Sequence, residues 1–278
     1  MKRLIGILGA SYCGSTVFGY TLGALPECTF MGETYWITQT DLNCTSCTIK
    51  KQPCSIITED LRTQLKNNEG NYFKILADKC ETDNIISTDK SVALYKDKIK
   101  NIDTVWIILF KSPWAQVTSH INHTSTKYST EQYLNVLNNH YTNCVSFAGN
   151  ALFIDFDFFS TNREQCLEYI CNRLNLKYTA DAIRYWNFTH HSVSGNTGAY
   201  TNVKDKINAA NNVQDINEKI DWYKAVYRKT SVNDSRWKFQ LSSEDWIKIG
   251  KHQYFAMYHD MLSKFSNNFM EWAGNNAT

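Results

Sequence analysis

The chain has 278 residues, 43% hydrophobic and 14% aromatic, with 29 lysine and arginine residues against 27 aspartate and glutamate. That is enough apolar material for the core of one full domain. A formal net charge of +2 supplies no global basic field, so neither nucleic acid nor a heparin-like polymer is expected as partner. No apolar run approaches the roughly 20 residues that span a bilayer, so no membrane association is expected.

The first stretch has two readings. Lys2-Arg3 before Leu4–Ala10 has the outline of a secretory signal, with Thr21–Ala24 near a cleavage site. Ser11, Tyr12, Gly14, Ser15 and Thr16 interrupt that apolar run at the short limit for such a segment. A cytoplasmic location is therefore the expectation. Five Asn-x-Ser/Thr sequons, at Asn43, Asn122, Asn187, Asn233 and Asn276, are read as chance in an Asn-rich chain. Nine cysteines, an odd number in a chain too long to need disulfide staples, fit a reducing compartment.

In chain order, Arg3–Leu8 is an apolar run of strand length. Gly9–Thr16 follows as a Gly-containing loop, and an apolar helical pattern from Val17 runs on towards Pro26. Strand, loop and helix make a phosphate cradle, because loop amides and the helix N-terminus converge on an anion. Gly9-x4-Gly14-Ser15-Thr16 has Walker A spacing, but Ser15 occupies the lysine position. That lysine reaches the β- and γ-phosphates, so an ordinary P-loop kinase or NTPase is disfavoured.

Thr29–Met31 reads as a second strand ending at Gly32-Glu33. Cys44-x2-Cys47-x6-Cys54, with Cys80 further on, offers the usual first half of a zinc site but no second pair. Free thiols, a disulfide and zinc are the alternatives, with free thiols and no metal expected. Ile56–Asn67 is a predicted helix, Asn84–Ser87 a strand, and Val92–Ile99 a helix. Thr104–Phe110 is apolar on both faces, as a central parallel strand should be. Trp114–Ile121 is helical after Pro113, and Thr130–Val145 is helical with Thr130 as N-cap. Ala151–Asp155 is a strand and Asn162–Leu174 a helix. Beyond residue 180 the pattern weakens. Tyr200–Lys219 is Asn/Lys-rich, expected to be mobile or poorly packed, and Trp237–Phe269 carries a helical stripe (Trp246, Ile249, Phe255, Tyr258, Met261, Leu262, Phe265) read as core.

Strands alternating with helices predict an α/β fold with a P-loop-type parallel sheet covered by helices on both faces, ending in a largely helical portion. One domain over 1–278 is expected, with its core in 3–175 and covering loops and helices in 176–270. Ligands in such sheets bind beyond the strands' carboxyl ends, which singles out Ser11–Thr16, Glu33, Lys90 and Lys111–Ser119.

Four separated segments together resemble the PAPS-dependent sulfotransferase family of bacterial type, PAPS being 3′-phosphoadenosine 5′-phosphosulfate. They are Gly14-Ser15-Thr16 with Gly32-Glu33, Ser87-Thr88-Asp89-Lys90-Ser91, Lys111-Ser112-Pro113-Trp114-Ala115 with Ser119, and His191-x3-Gly195-Asn196. The likeness spans about residues 3–200, and the Cys-rich stretch resembles a loop of many such proteins. The departures are Tyr12, Lys111, Trp114 and Ala199 where arginines often stand. Lysine binds phosphate as a point charge without bidentate geometry, so weaker donor affinity is expected.

The resemblance implies residue roles. Ser11, Tyr12, Cys13, Gly14, Ser15 and Thr16 would hold the 5′-phosphosulfate, chiefly through the N–H groups of residues 12–16. Lys111 and Ser119 would hold the 3′-phosphate, with Gly195 and Asn196 also at the cofactor. Lys90 would neutralise charge on the leaving oxygen, Glu33 would take the acceptor's proton, and His191 is a second candidate base. Asp155 and Asp157 are read as helix-capping. Part of the aromatic set in 114–200 (Trp114, Tyr128, Tyr133, Tyr141, Tyr185, Trp186, Phe188) must be core, and a pocket for a small hydroxylated or amine-type acceptor, such as a polar alkaloid, is expected in this segment over the cofactor. The competing readings are a nucleotide-binding relative without turnover and a P-loop kinase.

Overall fold

The structure, a computed structural model, describes residues 2–39, 44, 47–48, 51–123, 128–195 and 237–276. Five strands form one wholly parallel sheet. They are β1 (Arg3–Leu8), β2 (Cys28–Gly32), β3 (Asn84–Ser87), β4 (Asp103–Phe110) and β5 (Leu152–Asp155), in the order β2-β3-β1-β4-β5. β1 sits in the middle, in register with β3 from Arg3↔Asn84 and with β4 from Arg3↔Asp103 to Leu8↔Ile108. Its residues are nearly all buried, which is why the run reads as continuous apolar sequence rather than alternation.

The helices flanking this sheet are α1 (Ser15–Gly23), α2 (Trp36–Gln39), α3 (Glu59–Asn67), α4 (Tyr72–Lys79), α5 (Pro113–His123), α6 (Thr130–Ala148), α7 (Phe156–Thr161) and α8 (Arg163–Leu174). After a 3-10 segment at Ala180–Asn187 come α9 (Trp237–Gln240), α10 (Ser243–Lys251) and α11 (Gln253–Asn276). Among the described residues no helix is long and apolar enough to cross a membrane.

All five predicted strands are present within a residue or two of their expected limits. Three local readings change. Val92–Ile99 is not an α-helix but a 3-10 turn at Val92–Leu94, because the fully buried Tyr95 turns inward and its hydroxyl bonds Ser87 Oγ (2.9 Å) and accepts from Asp89 N (3.0 Å). α6 is capped by Ser129 rather than Thr130, since Ser129 and Gln132 close a reciprocal capping box. Trp246 leaves the core stripe: it is exposed at the edge, its ring 5.2 Å from that of Trp114, whereas Ile249, Tyr258, Met261 and Phe265 are buried. The segment Tyr200–Lys219 lies outside the described residues.

Of the seven aromatics singled out in 114–200, Tyr133, Tyr141, Tyr185 and Trp186 are the part that is core, whereas Trp114 and Phe188 are half-buried and Tyr128 is exposed. Trp114 packs on Phe255 (5.1 Å) and Trp246, Tyr185 stacks on Tyr20 (5.6 Å), and Tyr141 is fully buried.

Candidate nucleotide-binding site at the carboxyl edge of the sheet

Because every strand is parallel, all five carboxyl ends share one edge. Along it stand, in spatial order, Glu33 after β2, Asp89-Lys90 after β3, the Gly9–Thr16 loop after β1, Lys111 after β4 and Asp155 at the end of β5. Adjacent strands run about 4.8 Å apart, so β1 and β4 bring the first loop and Lys111 side by side. The surroundings of Cys13 record that convergence. Burial pushes this fully buried thiol's pKa up, while the backbone N–H of Ser15 and the charges of Lys90 and Lys111 act against it.

The loop is braced from beneath and beside. Ala10 N donates to the Tyr141 hydroxyl (3.4 Å), which itself donates to Leu109 O (3.0 Å). The Tyr133 hydroxyl (3.2 Å) and Gln116 Nε2 (3.4 Å) both donate to Ser11 O. Cys13 N donates to Ala10 O (3.2 Å), so that amide closes the turn. Tyr12 adopts φ 68° and Gly14 φ 91°. A β-carbon on Gly14 would stand 2.3 Å from the Phe156 ring, so position 14 tolerates only glycine on both counts. Gly14 caps α1 without a side-chain oxygen. Helix geometry leaves the first turn's N–H groups without intrahelical partners, facing an anion position with the positive end of the dipole.

Glu33 Oε1 lies 2.7 Å from Lys90 Nζ, and Glu33 Oε2 accepts from Trp36 Nε1 at 3.2 Å. Asp89, fully buried, accepts from Thr34 Oγ1, Tyr35 N (2.9 Å) and Ser87 Oγ (3.1 Å). It thereby ties the segment after β3 to the segment after β2. Its burial pushes the carboxyl up to about 6, against the opposing pull of those donors.

The His191–Gly195 loop joins the same edge through backbone. Val193 N donates to Met31 O and Glu33 N donates to Val193 O, both 2.9 Å. Gly32 (φ 75°) makes room for this: a β-carbon there would sit 2.4 Å from Val193 O. Beyond it, a β-carbon on Gly195 would be 3.1 Å from Thr16 Oγ1 and 3.7 Å from Glu33 Oε1. Thr16, Glu33, Lys90 and Gly195 thus meet in one place. Lys111 is buried at the β4–α5 junction, and Ser119 is buried further along α5. Asn196 lies outside the described residues.

Several supporting residues escaped the sequence reading. Asp155 caps α7 by accepting from Asp157 N (3.0 Å), as expected, but Asp157 Oδ2 also accepts from Ser112 N (3.0 Å) and so holds the turn after Lys111. The Tyr20 hydroxyl bonds Ser192 Oγ at 3.0 Å, pinning the late loop to α1. Nothing in a single sequence pairs residues 172 positions apart. His191, expected as second candidate base, has its Nδ1 turned to Cys54 Sγ (3.3 Å) and Cys44 Sγ (3.5 Å).

A parallel sheet with a Gly-containing cradle after its central strand, and lysines at the ends of the two strands beside it, defines an α/β fold of P-loop type. No family model matches the chain, and no curated protein sequence does. Among solved structures, the sulfotransferase domain from the curacin biosynthetic pathway superposes with a TM-score of 0.54 at 13% identity, covering 72% of this chain and 83% of that one. The sulfotransferase domain of the Synechococcus PCC 7002 olefin synthase gives 0.50 at 13% identity, covering 87% of this chain and 96% of the other. The fold of this chain is the sulfotransferase fold.

Proposed function

We propose that this protein is a PAPS-dependent sulfotransferase, moving a sulfuryl group to a hydroxyl or an amine or carbamoyl nitrogen of a small-molecule acceptor. The observation that carries the reading is the Glu33–Lys90 pair, 2.7 Å apart and beside Thr16 and Gly195 at the mouth of a phosphate cradle that lacks the Walker lysine. A base and a cation belong there in a group transfer, and a kinase would need the missing lysine.

The residues fit the donor. The loop amides and the first turn of α1 suit the 5′-phosphosulfate, and buried Lys111 with Ser119 suits a 3′-phosphate. When bound, PAPS supplies an activated sulfuryl group whose bridging S–O bond breaks as the acceptor's bond to sulfur forms. The protein's part is positioning and electrostatics, as in phosphoryl transfer. Glu33 accepts the proton released by the attacking hydroxyl or amine. Lys90, freed from Glu33 as that proton arrives, stabilises the electron pair left on the departing phosphate oxygen. Trp36 holds the second carboxylate oxygen of Glu33 and fixes which oxygen faces the acceptor. The two structural neighbours, from a curacin pathway and an olefin synthase, favour a metabolite acceptor over a polymer, in keeping with the small net charge.

The test has two stages. Thermal stabilisation by 3′-phosphoadenosine 5′-phosphate should exceed that by ADP, and equal stabilisation would remove the 3′-phosphate assignment. Radiolabelled sulfate should then leave PAPS for an acceptor in a panel of hydroxylated and amine-bearing metabolites.

A further inference from the structure

We infer that Cys44, Cys47, Cys54 and His191 form a structural zinc site that clips the Cys-rich segment onto the loop abutting Glu33. The site does not depend on the transfer reaction, and it departs from the expectation of free thiols and no metal.

The geometry carries it. The Sγ atoms of the three cysteines and a ring nitrogen of His191 all lie within 4.8 Å of one another. His191 Nδ1 is 3.3 Å from Cys54 Sγ and 3.5 Å from Cys44 Sγ. With Zn–S near 2.3 Å and Zn–N near 2.0–2.1 Å, a tetrahedral ion puts its sulfur and nitrogen ligands about 3.6 Å apart, so the two S–N edges from His191 match a coordination tetrahedron and the remaining pairs lie within 4.8 Å. Among the described residues this is the one group of three or more metal-ligating side chains packed so closely.

The surroundings suit thiolates. Cys47 N donates to Cys44 Sγ (3.4 Å), and Ile57 N donates to Cys54 Sγ (3.2 Å). In each case the N–H comes from three residues further along the chain, so two short turns each wrap a sulfur. All three cysteines are buried and none is bridged. Burial alone says little in a chain whose nine cysteines are all buried. What separates these three is convergence on one another and on a histidine 137 residues from Cys54.

Three sulfurs and one imidazole select a borderline-soft tetrahedral ion, and zinc is the usual occupant. With four protein ligands the site is closed, which marks it as structural rather than catalytic. Zn²⁺ enters with loss of the thiol protons and no change of oxidation state, while His191 binds through Nδ1 and keeps its proton on Nε2. The consequence reaches the transfer site. His191 is two residues from Val193, which pairs with Gly32, and four from Gly195, which borders Thr16 and Glu33. Zinc at this position would fix the loop that closes one side of the candidate site.

The full-length protein, expressed with zinc in the medium and purified without chelator, should carry close to one zinc per chain by elemental mass spectrometry. Cobalt added to the stripped protein should produce the intense visible bands of a tetrahedral thiolate complex. His191→Cys, which restores a four-ligand set, should keep one metal per chain, whereas His191→Ala and Cys54→Ser should lose the cobalt spectrum or bind far more weakly. Stripping the metal should lower the melting temperature reversibly. Should a ligand variant fail to fold, the cobalt titration of stripped wild-type protein still decides. Wild-type protein that takes up neither zinc nor cobalt overturns the inference, as does a Cys44–Cys54 or Cys44–Cys47 disulfide in the native protein, or iron in place of zinc.

Discussion

Glu33 Oε1 and Lys90 Nζ sit 2.7 Å apart on the ends of the neighbouring parallel strands β2 and β3. Both side chains keep some solvent contact, Lys90 at 36% and Glu33 at 14%, so the pair adds little to folding stability. Its meaning lies in where the fold puts it. The backbone pairing of Gly32 with Val193 and the grip of Asp89 on Thr34 and Tyr35 fix both strand ends. The acid and the cation are thereby held over the helix terminus that begins at Ser15.

If Glu33 takes the acceptor's proton, Glu33→Gln should lower the transfer rate by a factor on the order of 10²–10⁴, the usual worth of a positioned base. The affinity for 3′-phosphoadenosine 5′-phosphate should stay within about threefold, because the amide keeps the shape and leaves the cradle untouched. Single-turnover transfer from labelled PAPS and calorimetric titration of the desulfated nucleotide measure the two separately. A Glu33→Gln enzyme at full rate would move the proton's destination elsewhere.

Lys111 stands at the end of β4, next to the β1 loop, and is buried. Lys111→Ala should abolish the preference for 3′-phosphoadenosine 5′-phosphate over ADP while leaving ADP binding nearly unchanged, a loss of about tenfold or more for a charge-assisted contact. Lys111→Arg should preserve or strengthen the preference, since a guanidinium grips phosphate in two places. Equal losses for both nucleotides would mean that Lys111 supports the fold rather than reading the 3′-phosphate.

The sheet was readable because a parallel strand buried on both faces writes itself as an unbroken apolar run; Leu4–Leu8 and Ile107–Phe110 are such runs. The cradle was readable because Gly14, Ser15 and Thr16 occupy adjacent positions in sequence. What escaped depends on contacts between distant segments. The fourth donor of the cysteine cluster, His191, is 137 residues beyond Cys54, so a search for a second Cys-x2-Cys finds nothing. Composition likewise cannot say whether Trp114 and Tyr185 face a ligand or each other's neighbours; Tyr185 is core, and half-buried Trp114 packs on Phe255 and Trp246. Helix α4 was missed because eight residues give too short a period to stand out beside α3.

Gly14 is held at φ 91° with the Phe156 ring 2.3 Å from where a β-carbon would go. Gly14→Ala should therefore destabilise the protein by about 2–4 kcal/mol, combining a left-handed conformation with overpacking. It should also weaken nucleotide binding, because relief requires the loop or the buried Phe156 ring beneath it to move. Adding Phe156→Ala should recover part of the overpacking cost but none of the left-handed strain. Urea unfolding of the single and double variants checks this, and a Gly14→Ala protein within about 0.5 kcal/mol of wild type, the scatter of neutral surface changes, would show that the loop is not held as described.

At the far end of the same edge, burial, reinforced by the neighbouring charge of Asp157, pushes the Asp155 carboxyl up to about 7. An unfolded aspartate titrates near 3.9. Between those two values the folded protein holds a proton that the unfolded chain has already released, so stability falls as pH rises through this window, by up to about 1.4 kcal/mol per pH unit. Asp155→Asn removes this titration while keeping an oxygen to accept from Asp157 N, so the cap survives. The wild-type protein should therefore gain on the variant as pH is lowered from 7 to 5. Asp89, raised to about 6, titrates in the same range, but it is present in both proteins and cancels in the difference. Urea unfolding at pH 5, 6 and 7 supplies the comparison, and two parallel stability curves would mean that Asp155 is ionised throughout in the folded protein.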